Sequence, residues 1–163
     1  MQSLKPASRY TVALLLLAAS GLGSSSQTPT SAEIPLRVNR LFGLMLVEAQ
    51  INGKPAVLIL DTGSNHTIVN SKLVDVATPA VRDTVTPKKG SGYAGAGVYT
   101  KASLAVGPVF WRDHGIIAID TTEMSNSLGE RVDGLLGLDF LGQFELVIVD
   151  LKQRKLTLSR SPK

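Results

Sequence analysis

Apolar and polar positions alternate in short runs along most of the chain, a period that predicts strands rather than helices. Ile34–Val38, Leu44–Ile51 and Ala56–Leu60 read as the first three strands. Asn39-Arg40 separates the first two, and Asn52-Gly53, a strong hairpin signal, joins the second to the third. Thr67–Val69 reads as a fourth strand, and Ser71–Val76 is short and ambiguous. Lys101–Val106, Val109–Trp111 and Ile116–Ile119 follow, with Gly107-Pro108 as a turn and Arg112–Gly115 as a polar interruption. Thr121–Arg131 is polar and contains Gly, Ser and Asn, which predicts a surface loop. Leu138–Phe144 is the one helix expected, weakened by Gly142, and Leu146–Asp150 with Lys155–Leu158 forms a closing hairpin. The expected fold class is all-β.

One stretch breaks the alternation in a way that points to chemistry. The apolar strand Ala56–Leu60 runs directly into Asp61-Thr62-Gly63-Ser64. A carboxylate at the end of a buried strand is costly unless hydrogen bonds or a partner compensate. Gly63 allows a turn with positive φ and a close approach of another chain, and Ser64 can donate to the carboxylate. Composition alone would equally suit a hairpin loop. About seventy residues on lies Val132-Asp133-Gly134-Leu135-Leu136-Gly137-Leu138-Asp139-Phe140-Leu141.

Together the two stretches resemble the aspartic proteases, specifically the short, single-motif retropepsin-like branch, over about residues 34–160. The resemblance implies a small closed β-barrel of the acid-protease type with one short C-terminal helix. It implies that Asp61 is catalytic and that Thr62, Gly63 and Ser64 support its loop. Leu135, Leu136 and Gly137 would pass beneath that loop. A Gly-rich flap over the substrate would fall at roughly 85–99 and include Gly92, Tyr93 and Gly95. The substrate would be a peptide or protein, with no metal and no cofactor. Read literally, Gly90, Gly92 and Gly95 also spell a dinucleotide fingerprint, but no strand leads in and no helix leads out.

Such chemistry needs two carboxylates that share one proton. Ile116–Thr122 mimics the first motif and offers Asp120, but it lacks the glycine, and Thr122 is β-branched where positive φ would be wanted. Asp133 precedes Gly134 and reads as a structural turn residue. A two-fold homodimer would supply the second acid instead, as Asp61 of a second copy, with Thr62 bonding across the axis as the resemblance implies. The other function open to this barrel is a non-catalytic, exported module that binds peptide segments by strand addition.

Residues 1–23 fall outside the expected domain. Lys5 and Arg9 precede the apolar run Thr11–Ala19, and small residues follow, the layout of a secretory signal peptide. Export to the periplasm or beyond is expected, with the membrane engaged only through this segment. Residues 24–33 read as a flexible Ser/Thr/Pro-rich lead-in. Without the leader, two of 17 basic residues and none of 13 acidic ones are lost, so the net charge falls from +4 to +2. That mixed, near-neutral remainder argues against a nucleic-acid partner. There is no cysteine, hence no disulfide or thiolate chemistry. His66 and His114 are the only histidines, too few for a zinc site at helical or hairpin spacing. His66 reads as a strand residue near the cleft, and Trp111 as a packing residue.

Overall fold

The computed structural model describes residues 31–75, 84–85 and 97–160. β1 (Ser31–Val38), β2 (Met45–Ile51) and β3 (Lys54–Leu60) follow one another in antiparallel pairings. Asn52 and Gly53 take φ of 50° and 75°, the left-handed pair that a two-residue hairpin turn needs. β4 (Ile68–Asn70) follows the Asp61 loop and runs into a 3-10 turn at Ser71–Leu73, the segment the alternation left ambiguous. β5 (Thr84–Val85) pairs antiparallel with the start of β6 (Gly97–Val106), so the two ends of the expected flap segment lie side by side. Gly92, Tyr93 and Gly95 lie outside the described residues. Then come β7 (Val109–Ile119), α1 (Thr122–Leu128), β8 (Gly134–Leu136), α2 (Leu138–Leu141), β9 (Leu146–Asp150) and β10 (Lys155–Ser159).

Six strands close into a barrel in the order β2-β3-β8-β4-β7-β6, and the β2–β6 pairing completes the ring. β2 achieves this by dividing its pairing: Met45–Val47 meets β1, and Ala49–Ile51 meets β6. β1, β10 and β9 extend from the barrel as an antiparallel sheet. Two pairings in the ring are parallel, β3 with β8 and β4 with β7. The first of these brings the C-terminal ends of β3 and β8 together, which is where Asp61 leaves the sheet.

Side chains alternate between two cores. Leu58, Leu60, Val69, Ile116, Ala118 and Leu136 face one way, with Phe140 and Leu141 of α2. Ile59, Ile68, Ile117 and Leu135, the residues between them, face the other way, where Met124 and Leu128 of α1 cover them. The unbroken apolar runs of β3 and β8 thus have a physical cause, since both of their faces are buried.

Two expectations need correction. Thr121–Arg131 contains helix α1 rather than only loop: Asp120 accepts from the Thr122 N–H, and Gly129 ends the helix with φ 65°. β7 is one strand, not two. Within the polar interruption His114 and Gly115 stay paired to β6, while Arg112 and Asp113 face the single residue Ser103 in a bulge, with Asp113 at φ 52°. In smaller differences, β1 starts three residues before Ile34, and α2 ends at Leu141, just ahead of Gly142.

Candidate active site

β3 ends with Leu60 opposite Leu136 of β8. The Asp61 N–H continues the ladder by donating to the Leu136 carbonyl at 3.1 Å, and the side chain emerges half-buried where the wall of the barrel stops. Its Oδ1 accepts from the Gly63 N–H at 2.8 Å. Gly63 does not take positive φ, contrary to expectation. What it provides is room, because a Cβ there would stand 3.1 Å from Asp61 Oδ1. Ser64 also differs from expectation: its hydroxyl donates to the His66 carbonyl at 2.7 Å and braces the loop rather than the carboxylate. Thr62 is exposed at the turn. His66 sits exposed in the loop, ahead of β4 rather than within it.

The loop rests on the segment after β8. Leu138 N–H donates to the Ser64 carbonyl at 2.8 Å, and Asp139 N–H to the Asn65 carbonyl at 3.2 Å. Leu135 faces the outer core and Leu136 the inner one, while Gly137 lies against the loop backbone. A Cβ on Gly137 would come within 2.5 Å of the His66 carbonyl group, so only glycine fits this crossing. The expected apolar-apolar-Gly support therefore lies beside the loop, held by backbone contacts.

Asp139 was not singled out by the motif, yet it ties the crossing together. Its Oδ2 accepts from the Thr67 N–H at 2.8 Å and its Oδ1 from the Thr67 hydroxyl at 2.7 Å. Thr67 Oγ1 in turn accepts from the Gly137 N–H at 3.2 Å. His114 Nε2 lies 3.3 Å from Asp139 Oδ2. Burial pushes the Asp139 carboxyl up, but His114 and the two Thr67 donors outweigh it and hold the group below the usual carboxylate range. The one signal available in the sequence was an acid in the first turn of an apolar helix, next to Gly137.

The other acids are engaged elsewhere. Asp120 accepts from the Thr122 N–H at 2.9 Å and its hydroxyl at 2.6 Å, which holds its carboxyl below the usual range. Asp133 is buried, accepts from the Val57 N–H at 2.9 Å and pairs with Arg131 at 2.8 Å. Val57 is four strand residues before Asp61, about 13 Å away along the chain. Trp111 packs as expected, with ring centroids 4.7 Å from Phe140 and 6.2 Å from Phe144. A cavity of about 450 Å³ lined by Glu48, Gln50, Pro55 and Arg131 opens at the start of β3, away from Asp61.

Residues 47–140, more than half of the chain, match the family described as aspartyl protease. Among solved structures the chain is similar to a retropepsin-like aspartic protease from Rickettsia conorii, with a TM-score of 0.55 and 17% identity over 80% of this chain and 92% of that one. The retroviral protease-like domain of Ddi1 from Leishmania major matches at TM-score 0.44 and 20% identity, over 71% of this chain and 87% of that one. No curated protein matches in sequence.

Proposed function

Since this chain belongs to the aspartyl protease family, we propose that it hydrolyses peptide bonds with two Asp61 carboxylates, one from each subunit of a homodimer. The observation that carries this is the state of the acids. Asp61 stands half-buried at the mouth of the barrel on a braced loop, while Asp120 and Asp133 are consumed by structural bonds of their own. Of the three acids weighed, Asp61 alone is left for catalysis among the described residues, and a two-fold axis beside it would contribute the second acid.

In that arrangement the two carboxylates repel each other when both are ionised, so the pair holds a single shared proton and titrates as a unit. The ionised member takes a proton from a water poised between them. The protonated member donates to the oxygen of the scissile carbonyl as the water attacks. Gly63 N–H keeps Asp61 oriented, and Thr62, exposed at the turn, is placed to bond across the axis. Residues 1–23 would direct the chain to the periplasm or outside.

Asp61→Asn keeps the shape and removes the shared proton. It is expected to lower cleavage of an unfolded protein substrate by about 10³-fold or more while leaving the thermal unfolding midpoint in place. Full activity in this variant would remove Asp61 from the mechanism. A stable monomer that binds peptides and never cuts them would instead make the barrel a strand-addition module.

A further inference from the structure

Buried histidines normally satisfy both ring nitrogens, and His114 does not. Its side chain is 12% exposed, and Nε2 is fully buried without a hydrogen bond of adequate geometry. That nitrogen nonetheless lies 3.3 Å from Asp139 Oδ2, close enough for charge attraction whenever the imidazole is protonated, though misaligned for a hydrogen bond. A phenylalanine would serve the packing against Trp111, whose ring centroid lies 5.1 Å away, without burying a polar atom.

The surroundings leave Asp139 as the group that His114 answers. From β6 the residue paired with it is Ala102, which carries no charge. Arg160 stacks 5.8 Å over Trp111 and 4.8 Å over Phe144. Arg112 and Asp113, its neighbours on β7, are exposed. Asp139 meanwhile bonds Thr67, the residue that ends the Asp61 loop, with both oxygens, and its Oδ1 also accepts from the Phe140 N–H at 2.8 Å. β7 also reaches Thr67 directly, because the Ile117 N–H donates to the Thr67 carbonyl at 3.0 Å.

We propose that His114 is a positioning residue for the Asp61 loop: its imidazole fixes the Asp139 carboxylate, which fastens Thr67 and, through the Thr67 hydroxyl, Gly137 at the end of that loop. The consequence for catalysis rests on the peptidase function proposed above, but the mechanical part does not. Without His114, the Asp139 carboxylate would be held only by Thr67 and by the N–H of Phe140, its own neighbour on α2. With His114 opposite, it is held from both sides, and the loop inherits that rigidity.

Hydrogen exchange at single amides of the whole chain reads the fastening without any turnover. In His114→Phe, which retains the aromatic packing, exchange at Thr67 and Gly137 is expected to quicken by roughly tenfold, with Leu104 in the barrel wall unchanged. His114→Gln keeps an N–H in the pocket and is expected to recover most of the protection. Unchanged exchange at Thr67 in His114→Phe overturns the proposal. So does an equal loss at Leu104, which would mark general loosening. Where the wild type cleaves peptide, His114→Phe is expected to lower kcat by about tenfold with KM nearly constant, since misplacement acts on the transition state. An unaltered kcat would overturn the catalytic consequence, whereas an inactive wild type would sink the peptidase function and leave the exchange result to decide the fastening.

Discussion

At the scale of single residues, the acid that does the proposed chemistry and the acid that holds the scaffold differ in their surroundings. Asp61 is half-buried with one backbone donor, whereas Asp139 takes two Thr67 donors, the Phe140 N–H and the nearby His114. Because these contacts lower the folded-state titration of Asp139 below its unfolded value, their stabilisation is fully present above about pH 4 and is lost as the pH falls through the lower folded value. Asp139→Asn is therefore expected to cost about 2 kcal/mol near pH 6, and the gap to wild type should narrow towards pH 2–3. Urea midpoints at the two pH values measure it, and a constant gap would show that the charge of Asp139 contributes nothing. The two acids also differ in how far the sequence reveals them. Asp61 is legible because its neighbours in sequence are its neighbours in space. Asp139 finds Thr67 across 72 positions and His114 across another strand, and no local pattern encodes that meeting.

At the scale of elements, legibility follows who supplies the stabilisation. β2, β3 and the Asn52-Gly53 turn are specified by their own alternation and turn chemistry, and they form close to where the pattern puts them. α1 is the opposite case. Thr, Ser and Asn make poor helix interiors, and seven residues are too few to be helical alone. The helix exists because Met124 and Leu128, four apart, dock on Ile59, Ile117 and Leu135 of the outer core. Met124→Ala and Leu128→Ala are each expected to cost about 1–2 kcal/mol, in keeping with partial burial, while Asn126→Ala on the exposed side should stay within about 0.5 kcal/mol. Chemical denaturation of the three variants tests this, and equal small effects would mean that α1 is held by its ends alone. β7 escaped the pattern for a related reason: the ladder to β6 passes Arg112 and Asp113 as a bulge and resumes on either side at Trp111 and His114, so polar side chains did not end the strand.

At the scale of the whole molecule, the barrel closes on itself, and in the proposed mechanism a second copy completes its chemistry. The ring β2-β3-β8-β4-β7-β6 supplies a rigid wall, and the loop at its mouth carries one acid per chain. If two copies complete the site, activity must depend on concentration as a bimolecular association does, and specific activity should fall on dilution below the dimer dissociation constant. Mixing separates this from a self-sufficient chain. When Asp61→Asn is added in equal amount to a fixed quantity of wild type under conditions that saturate pairing, half the wild-type chains enter mixed pairs. Such a pair has one carboxylate and no shared proton, so activity is expected to drop to about half and to fall further with excess variant. A chain that completed its own site would ignore the additive. Peptidase rates across that titration, read together with the solution mass, therefore distinguish an acid borrowed from a second subunit from one hidden within the same fold.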